Sequence, residues 1–277
     1  MLVLIPTPIG NINDLSLRAI YVIAEGEIFL CEDTRVTKKL IAIVKKRFSD
    51  LPRLKFCENP EFFSVHSHNE QEFLESLNPE IFKKNCVYAS DAGMPCVSDP
   101  GSKLVSFCQQ NKIGYEVLPG ANAAITAFAA SGFEQTRFIF HGFLPHKREA
   151  RKKEMSDALS QNLPIIFYES PHRIANFAEL TLQIAPNAKI AAFKEMTKLH
   201  ENRFFGDAAA FYNFLKTSNT KGEWTIAVFE AGAKSRNGEI VNDLLNLKAP
   251  IKPLSKILAK LTGEKSAVWY ERLTRKN

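Results

Sequence analysis

Short apolar runs rich in β-branched and aromatic residues alternate along this chain with stretches of helical periodicity, and no other feature constrains the fold as tightly. Leu2–Ile5 and residues 27–31, 86–89 and 115–118 read as buried strands with helices between them. Strands joined by helices build a parallel sheet, because a parallel pair needs a crossover long enough to hold a helix. A second series, at 138–141, 164–168, 189–193 and 224–230, follows an Ala-rich helix predicted over about 122–131. The expected architecture is two α/β domains, at 1–117 and 118–237, with a small helical tail at 238–277. In the tail, 254–261 and 266–273 carry helical spacing on either side of Thr262 and Gly263, which predicts two short helices and a tight turn. The Gly, Ser and Asn content of 231–238 reads as a linker.

Composition narrows the setting. The chain has 277 residues, 45% hydrophobic and 24% charged, enough apolar side chain for two cores and too much for wholesale disorder. No window approaches the ~18 to 20 apolar residues of a membrane span, and the apolar start is halted by Pro6 with no cationic leader before it. Five cysteines (Cys31, Cys57, Cys86, Cys96, Cys108) make an odd number with no C-x-x-C pair, the usage of reduced core thiols. These features predict a cytoplasmic protein.

The formal charge is +6, and it is unevenly placed. From residue 248 onward eight basic residues (Lys248, Lys252, Lys256, Lys260, Lys265, Arg272, Arg275, Lys276) face only Glu264 and Glu271. Lys147, Arg148, Arg151, Lys152 and Lys153 form a second cluster, and Lys38, Lys39, Lys45, Lys46 and Arg47 a third. Such fields suit a polyanion whose phosphates they neutralise, although solvated helix faces carry similar charge.

Common nucleotide and hydrolase signatures are missing: there is no G-x-G-x-x-G after the first strand, no G-x-x-x-x-G-K-[ST], no G-x-S-x-G and no H-E-x-x-H. Three glycine and proline turns stand out instead, at 6–11 (PTPIGN), 90–95 (SDAGMP) and 118–122 (LPGAN). Each falls where a strand should end. Ligands of open α/β sheets bind outside the carboxyl ends of the strands, so the three turns are expected to line one pocket.

The ordered set IPTPIGN, CEDTR, HSHNE, SDAGMPCVSDPG, LPGANAAITA, FHGFLP, FYESPHR and KEMTK resembles the tetrapyrrole methylase superfamily, and within it the branch that methylates small-subunit ribosomal RNA. The resemblance runs from about residue 2 to residue 230. It implies two α/β domains of the tetrapyrrole methylase type with S-adenosyl-L-methionine in the cleft between them. It also implies a homodimer and 2′-O-methylation of a cytidine ribose in the decoding region of 16S rRNA, free or within the 30S subunit. Carried over motif by motif, it assigns the cofactor to Pro8 and Ile9, to Asp91, Gly93 and Met94, to Asn122 and Ala123, and to Phe167, Tyr168, Thr225 and Ala227. Met94 stands where Thr is frequent, Cys96 follows Pro95, and Asn122 replaces a small residue.

A sulfonium methyl is already activated, so such a protein chiefly aligns the nucleophile and excludes water. A ribose hydroxyl gains ~10² to 10⁴ in rate from a positioned base. Candidates are Glu32 and Asp33 of CEDTR, His66 and His68 of HSHNE, Glu70, Glu169 and Glu195, with Arg35 aimed at the same mouth. Asp33 and Arg35 can equally form a structural ion pair. His66 and His68 lack a third ligand at metal spacing, so no metal is expected. RNA contacts are expected from Arg35, Asn69, Glu70, Lys147, Arg148, Arg173, Lys198, Lys256, Lys260 and Lys265. Asn69 as a helix cap and Arg173 as a buried structural arginine are the plain alternatives. Phe62, Phe63, Phe211 and Phe214 fall at core spacings and read as packing. Two other functions fit the same residues: a superfamily methyltransferase acting on a tetrapyrrole or other small substrate, and a noncatalytic RNA-binding protein.

Overall fold

The computed structural model describes residues 1–230, 241, 244–247 and 249–276, so the linker expected at 231–238 lies outside the described residues. The chain divides into two compact units: Met1–Ala130 with Phe193–Arg203 and Gly222–Thr225, and Ser131–Ala192 with Phe204–Lys221 and Ile226–Asn277. The first unit thus takes two later segments of the chain in addition to its leading stretch.

In the first unit the chain runs β1 (Leu2–Ile5), α1 (Leu17–Glu25), β2 (Ile28–Cys31), α2 (Thr34–Arg47), β3 (Glu61–Ser64), α3 (Glu70–Ser76), β4 (Cys86–Ala89), α4 (Ser102–Gln110), β5 (Tyr115–Val117) and α5 (Ala123–Ala130). The strands pair in the order β3-β2-β4-β1-β5, every pair parallel. Strands β2 and β4 are buried at every position, as expected of strands covered on both faces. Side-chain alternation splits the core in two. Leu2, Leu4, Ile28, Leu30, Cys86 and Tyr88 pack on one face with Leu74 of α3 and Leu104 and Cys108 of α4. Ile5, Phe29, Val87 and Ala89 pack on the other with Ile20 and Ile23 of α1 and Val44 of α2. Each fully buried Leu or Ile contributes roughly 1.5 to 3 kcal/mol of transfer free energy. Strand β3, which the sequence did not predict, is a half-exposed edge strand held by the Phe62 ring stacked on Phe29 at 5.2 Å.

The second sheet has the order β6-β7-β10-β8-β9, from β6 (Ile139–Phe143), β7 (Ile165–Glu169), β8 (Lys189–Lys194), β9 (Asn202–Asp207) and β10 (Trp224–Phe229). Helices α6 (Arg148–Leu159), α7 (Ile174–Ile184) and α8 (Ala208–Thr217) lie between these strands in sequence. Strand β9 also escaped prediction; five of its six residues are exposed, so it lacks the apolar run that marks its neighbours. Phe211 is buried against Phe204, and Phe214 joins the same ring cluster, so both are packing residues.

The tail forms the two predicted helices, α9 (Ile251–Thr262) and α10 (Ser266–Lys276). They close over their own small core of Leu254, Leu258, Trp269 and Leu273, and the Trp269 indole N–H donates to Thr262 Oγ1 at 2.8 Å. No helix among the described residues is long and apolar enough to cross a membrane.

Candidate functional site

Parallel register brings the carboxyl ends of the first unit's strands to one edge, since Ile5 and Cys31 both pair with Ala89. From β1 the chain crosses toward β2 on one side; from β4 it crosses toward β5 on the other. The order therefore reverses between β1 and β4, the place where open α/β sheets take ligands.

The turns that follow these two strands are tied together there. Thr7 N–H donates to Gly93 O at 2.9 Å and Gly93 N–H returns a bond to Thr7 O at 3.0 Å. Thr7 Oγ1 donates to Ser90 O at 3.1 Å, so the first turn is pinned to the start of the second as well. Gly93 has φ +88, and a Cβ there would stand 3.2 Å from Ile9 Cγ2 and 3.8 Å from Ala121 O, in the gap between the first and third turns. Only glycine leaves that gap open without strain. All three glycine and proline turns thus meet at one place, as the sequence predicts. The first turn is also held from behind: a Cβ on Gly10 would lie 2.6 Å from both Thr197 Oγ1 and Lys198 Cγ, and Asn11 N–H donates to Thr197 Oγ1 at 3.1 Å. The KEMTK motif is therefore a support for PTPIGN.

Among the residues assigned to the cofactor, Pro8, Ile9 and Met94 are half-buried, Gly93 is buried and Asp91 is exposed. Asn122 accepts from Ile125 N–H at 3.0 Å and so caps α5, with Ala123 as its first residue. In the second series Phe167 and Ala227 are fully buried and Thr225 nearly so. The Phe167 ring packs against His141 and Phe177, while Tyr168 is half-buried beside Phe140 and Phe143.

Acidic side chains gather beside the paired turns. Glu32 Oε2 accepts from Asp91 N–H at 3.1 Å, and Asp91 Oδ1 accepts from Asp33 N–H at 3.2 Å. Burial raises the Glu32 and Asp91 carboxyls above the usual range. Asp33 behaves oppositely. Its Oδ1 accepts from Arg35 N–H at 2.8 Å and its Oδ2 from Arg35 Nη2 at 2.6 Å, and the Arg35 side chain holds the Asp33 carboxyl down to about 2. Asp33 caps α2 and is ion-paired, the plain alternative to catalysis, and a carboxylate so acidic is a poor base.

Glu70, expected to meet RNA, is 4% exposed. Its Oε1 accepts from Gly101 N–H at 3.0 Å and Leu104 N–H at 3.3 Å, satisfying orphan donors at the start of α4 where helix dipole and carboxylate attract. Asn69 Oδ1 accepts from His66 N–H at 2.8 Å and Nδ2 donates to Ser64 O at 2.9 Å, shaping the loop without a side-chain bond to the helix it precedes. His68 is exposed, its ring 6.1 Å from that of His66. No three His, Cys, Asp or Glu side chains among the described residues are grouped as a metal site requires.

In the second unit Arg173 is paired with the buried Glu169, its Nη2 donating to Glu169 Oε2 at 3.0 Å and to Leu144 O at 2.6 Å. Arg173 is itself half-buried, and this pairing is the structural role named as the alternative to a phosphate clamp. Lys198 bridges Glu195 and Glu223 at 2.9 Å each. Burial pulls the Glu195 carboxyl up, but the Glu223 N–H and Lys198 outweigh it and the group lies low. Lys147 and Arg148 are exposed, as are Lys256, Lys260 and Lys265 on the tail. Arg151 is instead buried, donating to Pro145 O at 3.0 Å and His146 O at 2.9 Å.

Residues 1–211 match the model of the family described as Tetrapyrrole (Corrin/Porphyrin) Methylases. The chain is 41% identical to a ribosomal RNA small subunit methyltransferase I of Campylobacter fetus, with 99% of each chain covered. It is 38% identical to one of Helicobacter pylori, covering 99% of this chain and 97% of that one. In fold it is similar to diphthine synthase, at TM-score 0.60 and 11% identity over 83% of this chain and 90% of that one. It is also similar to a cobalt precorrin-4 methyltransferase, at TM-score 0.58 and 14% identity over 84% and 95%. The chain therefore belongs to the tetrapyrrole methylase family and, within it, to the ribosomal RNA small subunit methyltransferase I group.

Proposed function

We propose that the protein transfers a methyl group from S-adenosyl-L-methionine to small-subunit ribosomal RNA, at the 2′-hydroxyl of a cytidine ribose in the decoding region of 16S rRNA. As a tetrapyrrole methylase the chain uses that donor. The names of its relatives support the RNA substrate; the ribose position and the base are our own extension. The observation that carries the reading is the reciprocal Thr7 and Gly93 pairing, which joins the turns after β1 and β4 at the reversal of strand order.

The residues fit the donor. Its sulfonium is positive, and Glu32 and Asp91 gather where the turns meet. The open space beside Gly93 admits backbone contact that a side chain would block. Pro8, Ile9, Asp91, Gly93, Met94, Asn122 and Ala123 would hold it, and when bound it supplies a methyl group activated by positive charge. This chain's own residues then have three tasks: to fix the nucleophile in line, to exclude water and to take a proton. Asp33 is too acidic for the last task, Glu70 is occupied at α4, and Glu169 and Glu195 are held by Arg173 and Lys198. Glu32, raised by burial, is the acid/base residue we favour.

Lys147, Arg148, Lys152 and Lys153 on α6, with Lys256, Lys260 and Lys265 on the tail, are exposed cations suited to RNA phosphates. We further propose that two copies assemble and that the protein works in the cytoplasm, on free rRNA or on the 30S subunit. Labelled donor incubated with small subunits, and separately with free rRNA, tests the reading when the modified nucleotide is mapped. Label on a cytidine ribose is expected. Label on a base, or RNA binding indifferent to the donor with no transfer, would contradict it.

A further inference from the structure

Helix α2 carries the third basic cluster of the sequence, outside both α6 and the tail. Its 14 residues include four lysines and two arginines and no Asp or Glu. At 3.6 residues per turn Arg35, Lys38, Lys39, Lys45 and Lys46 fall within an arc of about 120°, with Ala42 at its middle. All six are exposed. The core side lies elsewhere on the helix, at Thr37 and Val44, and Arg47 stands off the arc, donating to Asn13 Oδ1 at 3.1 Å.

Folding does not ask for such a face. Arg35 precedes Lys38 and Lys39 by three and four residues, the spacings at which like charges on a helix repel. The helix dipole favours cations in the last turn, which accounts for Lys45 and Lys46 but not for Lys38 and Lys39. Asp33 takes up Arg35, yet among the described residues no carboxylate forms an ion pair with any of the four lysines. Two of them are held over aromatic rings from outside the helix instead. The Lys38 ammonium stands 4.7 Å from the centre of the Phe62 ring on β3, and that of Lys45 5.8 Å from the Phe56 ring. Such contacts fix an ammonium group without neutralising it. The face also has a direction. β2 ends at Cys31 on the edge where the turns meet and α2 begins at Thr34, so the stripe starts beside Glu32 and Asp33 and runs away from them for about 20 Å.

We propose that this face of α2 is a docking track for the sugar-phosphate backbone of the RNA substrate, with phosphates seated over Ala42 between one pair, Lys38 and Lys39, and the other, Lys45 and Lys46. The inference rests on the RNA reading proposed above and adds a contact surface on the unit that holds the donor turns. The two pairs are two helical turns apart, about 10 Å along the axis, and Ala42 between them has no side chain beyond Cβ to keep a strand off the helix. A protein partner matches less well, because lysine is depleted at protein interfaces and the arc has no apolar side chain larger than Ala42. Phosphates require only the charge, and contacts to them set position without reading the base.

Replacing Lys38, Lys39, Lys45 and Lys46 by Gln in the full chain tests the track, with a free small-subunit rRNA fragment spanning the decoding region as probe. The slope of log K against log salt should flatten by about 3, at ~0.7 to 0.9 for each phosphate no longer neutralised, and KM for the RNA should rise at least about tenfold. The S-adenosylmethionine Kd, kcat at saturating RNA and the nucleotide modified should all hold. In the wild-type protein, bound RNA should shield these four lysines from an amine-acetylating reagent while the exposed Lys103 on α4 stays reactive, a readout that needs no variant to fold. An unchanged slope in the folded variant, or no shielding, would overturn the inference. Weaker binding to assembled subunits with unchanged binding to the free fragment would give the face to a ribosomal protein and overturn it as well. Wild-type protein that neither binds nor methylates the RNA would bring down the functional reading, and this inference with it.

Discussion

Thr7 and Gly93, 86 positions apart in the chain, exchange two backbone hydrogen bonds of 2.9 and 3.0 Å and thereby make one surface of two separate turns. Gly93→Val tests what that surface needs. The φ of +88 is strained for any L side chain, at roughly 1 to 2 kcal/mol, and the added atoms press on Ile9 at 3.2 Å. Urea unfolding should show a loss of about that size, and donor affinity should fall further than the stability loss alone explains.

Glu70 is the side chain whose removal should cost most for its size. Glu70→Ala leaves the buried N–H groups of Gly101 and Leu104 without an acceptor, a loss of about 2 to 4 kcal/mol at ~1 to 3 for each unmet donor with partial relief by water. Glu70→Gln keeps an acceptor oxygen and should recover at least half of that. Equilibrium denaturation of the two variants checks the ordering; equal losses would mean that charge and not hydrogen bonding matters at α4.

Two carboxyls should give opposite pH signatures. Asp33 is held down to about 2 by Arg35, below its value in the unfolded chain, so its contribution is present above about 4 and fades as pH falls toward 2. Asp99 is raised to about 7 by burial, so its contribution is present below about 4 and is lost as pH rises through 7. Melting temperature against pH should therefore rise less steeply on the acid side in Arg35→Ala, which removes the side-chain partner of Asp33 but keeps the backbone N–H donor. In Asp99→Asn it should gain most over the wild type on the alkaline side.

Reversing charge on the tail should weaken RNA binding without touching the donor. Lys256, Lys260 and Lys265 are exposed, and replacing all three by Glu should flatten the dependence of log K on log salt by about 2 to 3, at ~0.7 to 0.9 for each phosphate no longer neutralised. Filter binding across a salt series measures the slope, and calorimetry with S-adenosylmethionine provides the control. An unchanged slope would remove the tail from the RNA surface.

Much of this was legible beforehand because the signals were local. Leu2–Ile5 and Cys86–Ala89 announce themselves as apolar runs, and the turns after them carry glycine and proline at strand ends. The tail helices followed from spacing around Thr262 and Gly263. What escaped depends on the fold. Strand β3 (Glu61–Ser64) and strand β9 (Asn202–Asp207) are half-exposed or exposed, so alternation and composition do not mark them. Glu70 and Arg173 look like surface contacts in sequence, but one is buried at a helix start from another part of the chain and the other grips the buried Glu169. Asp99 was in plain view within SDPG, but its carboxyl is raised by burial and by the charge of Glu32, neither of which the sequence displays.

The central claim is that the donor sits on the turns joined at Thr7 and Gly93, and Asp91→Arg challenges it most directly. Asp91 is exposed there and accepts the Asp33 N–H at 3.2 Å, so a long cation in its place repels a sulfonium and crowds the cradle while the cores stay intact. Calorimetry with S-adenosylmethionine should show affinity reduced by at least about a hundredfold, roughly 2.7 kcal/mol, with the melting temperature nearly unchanged. Wild-type affinity in a folded Asp91→Arg protein would contradict the account.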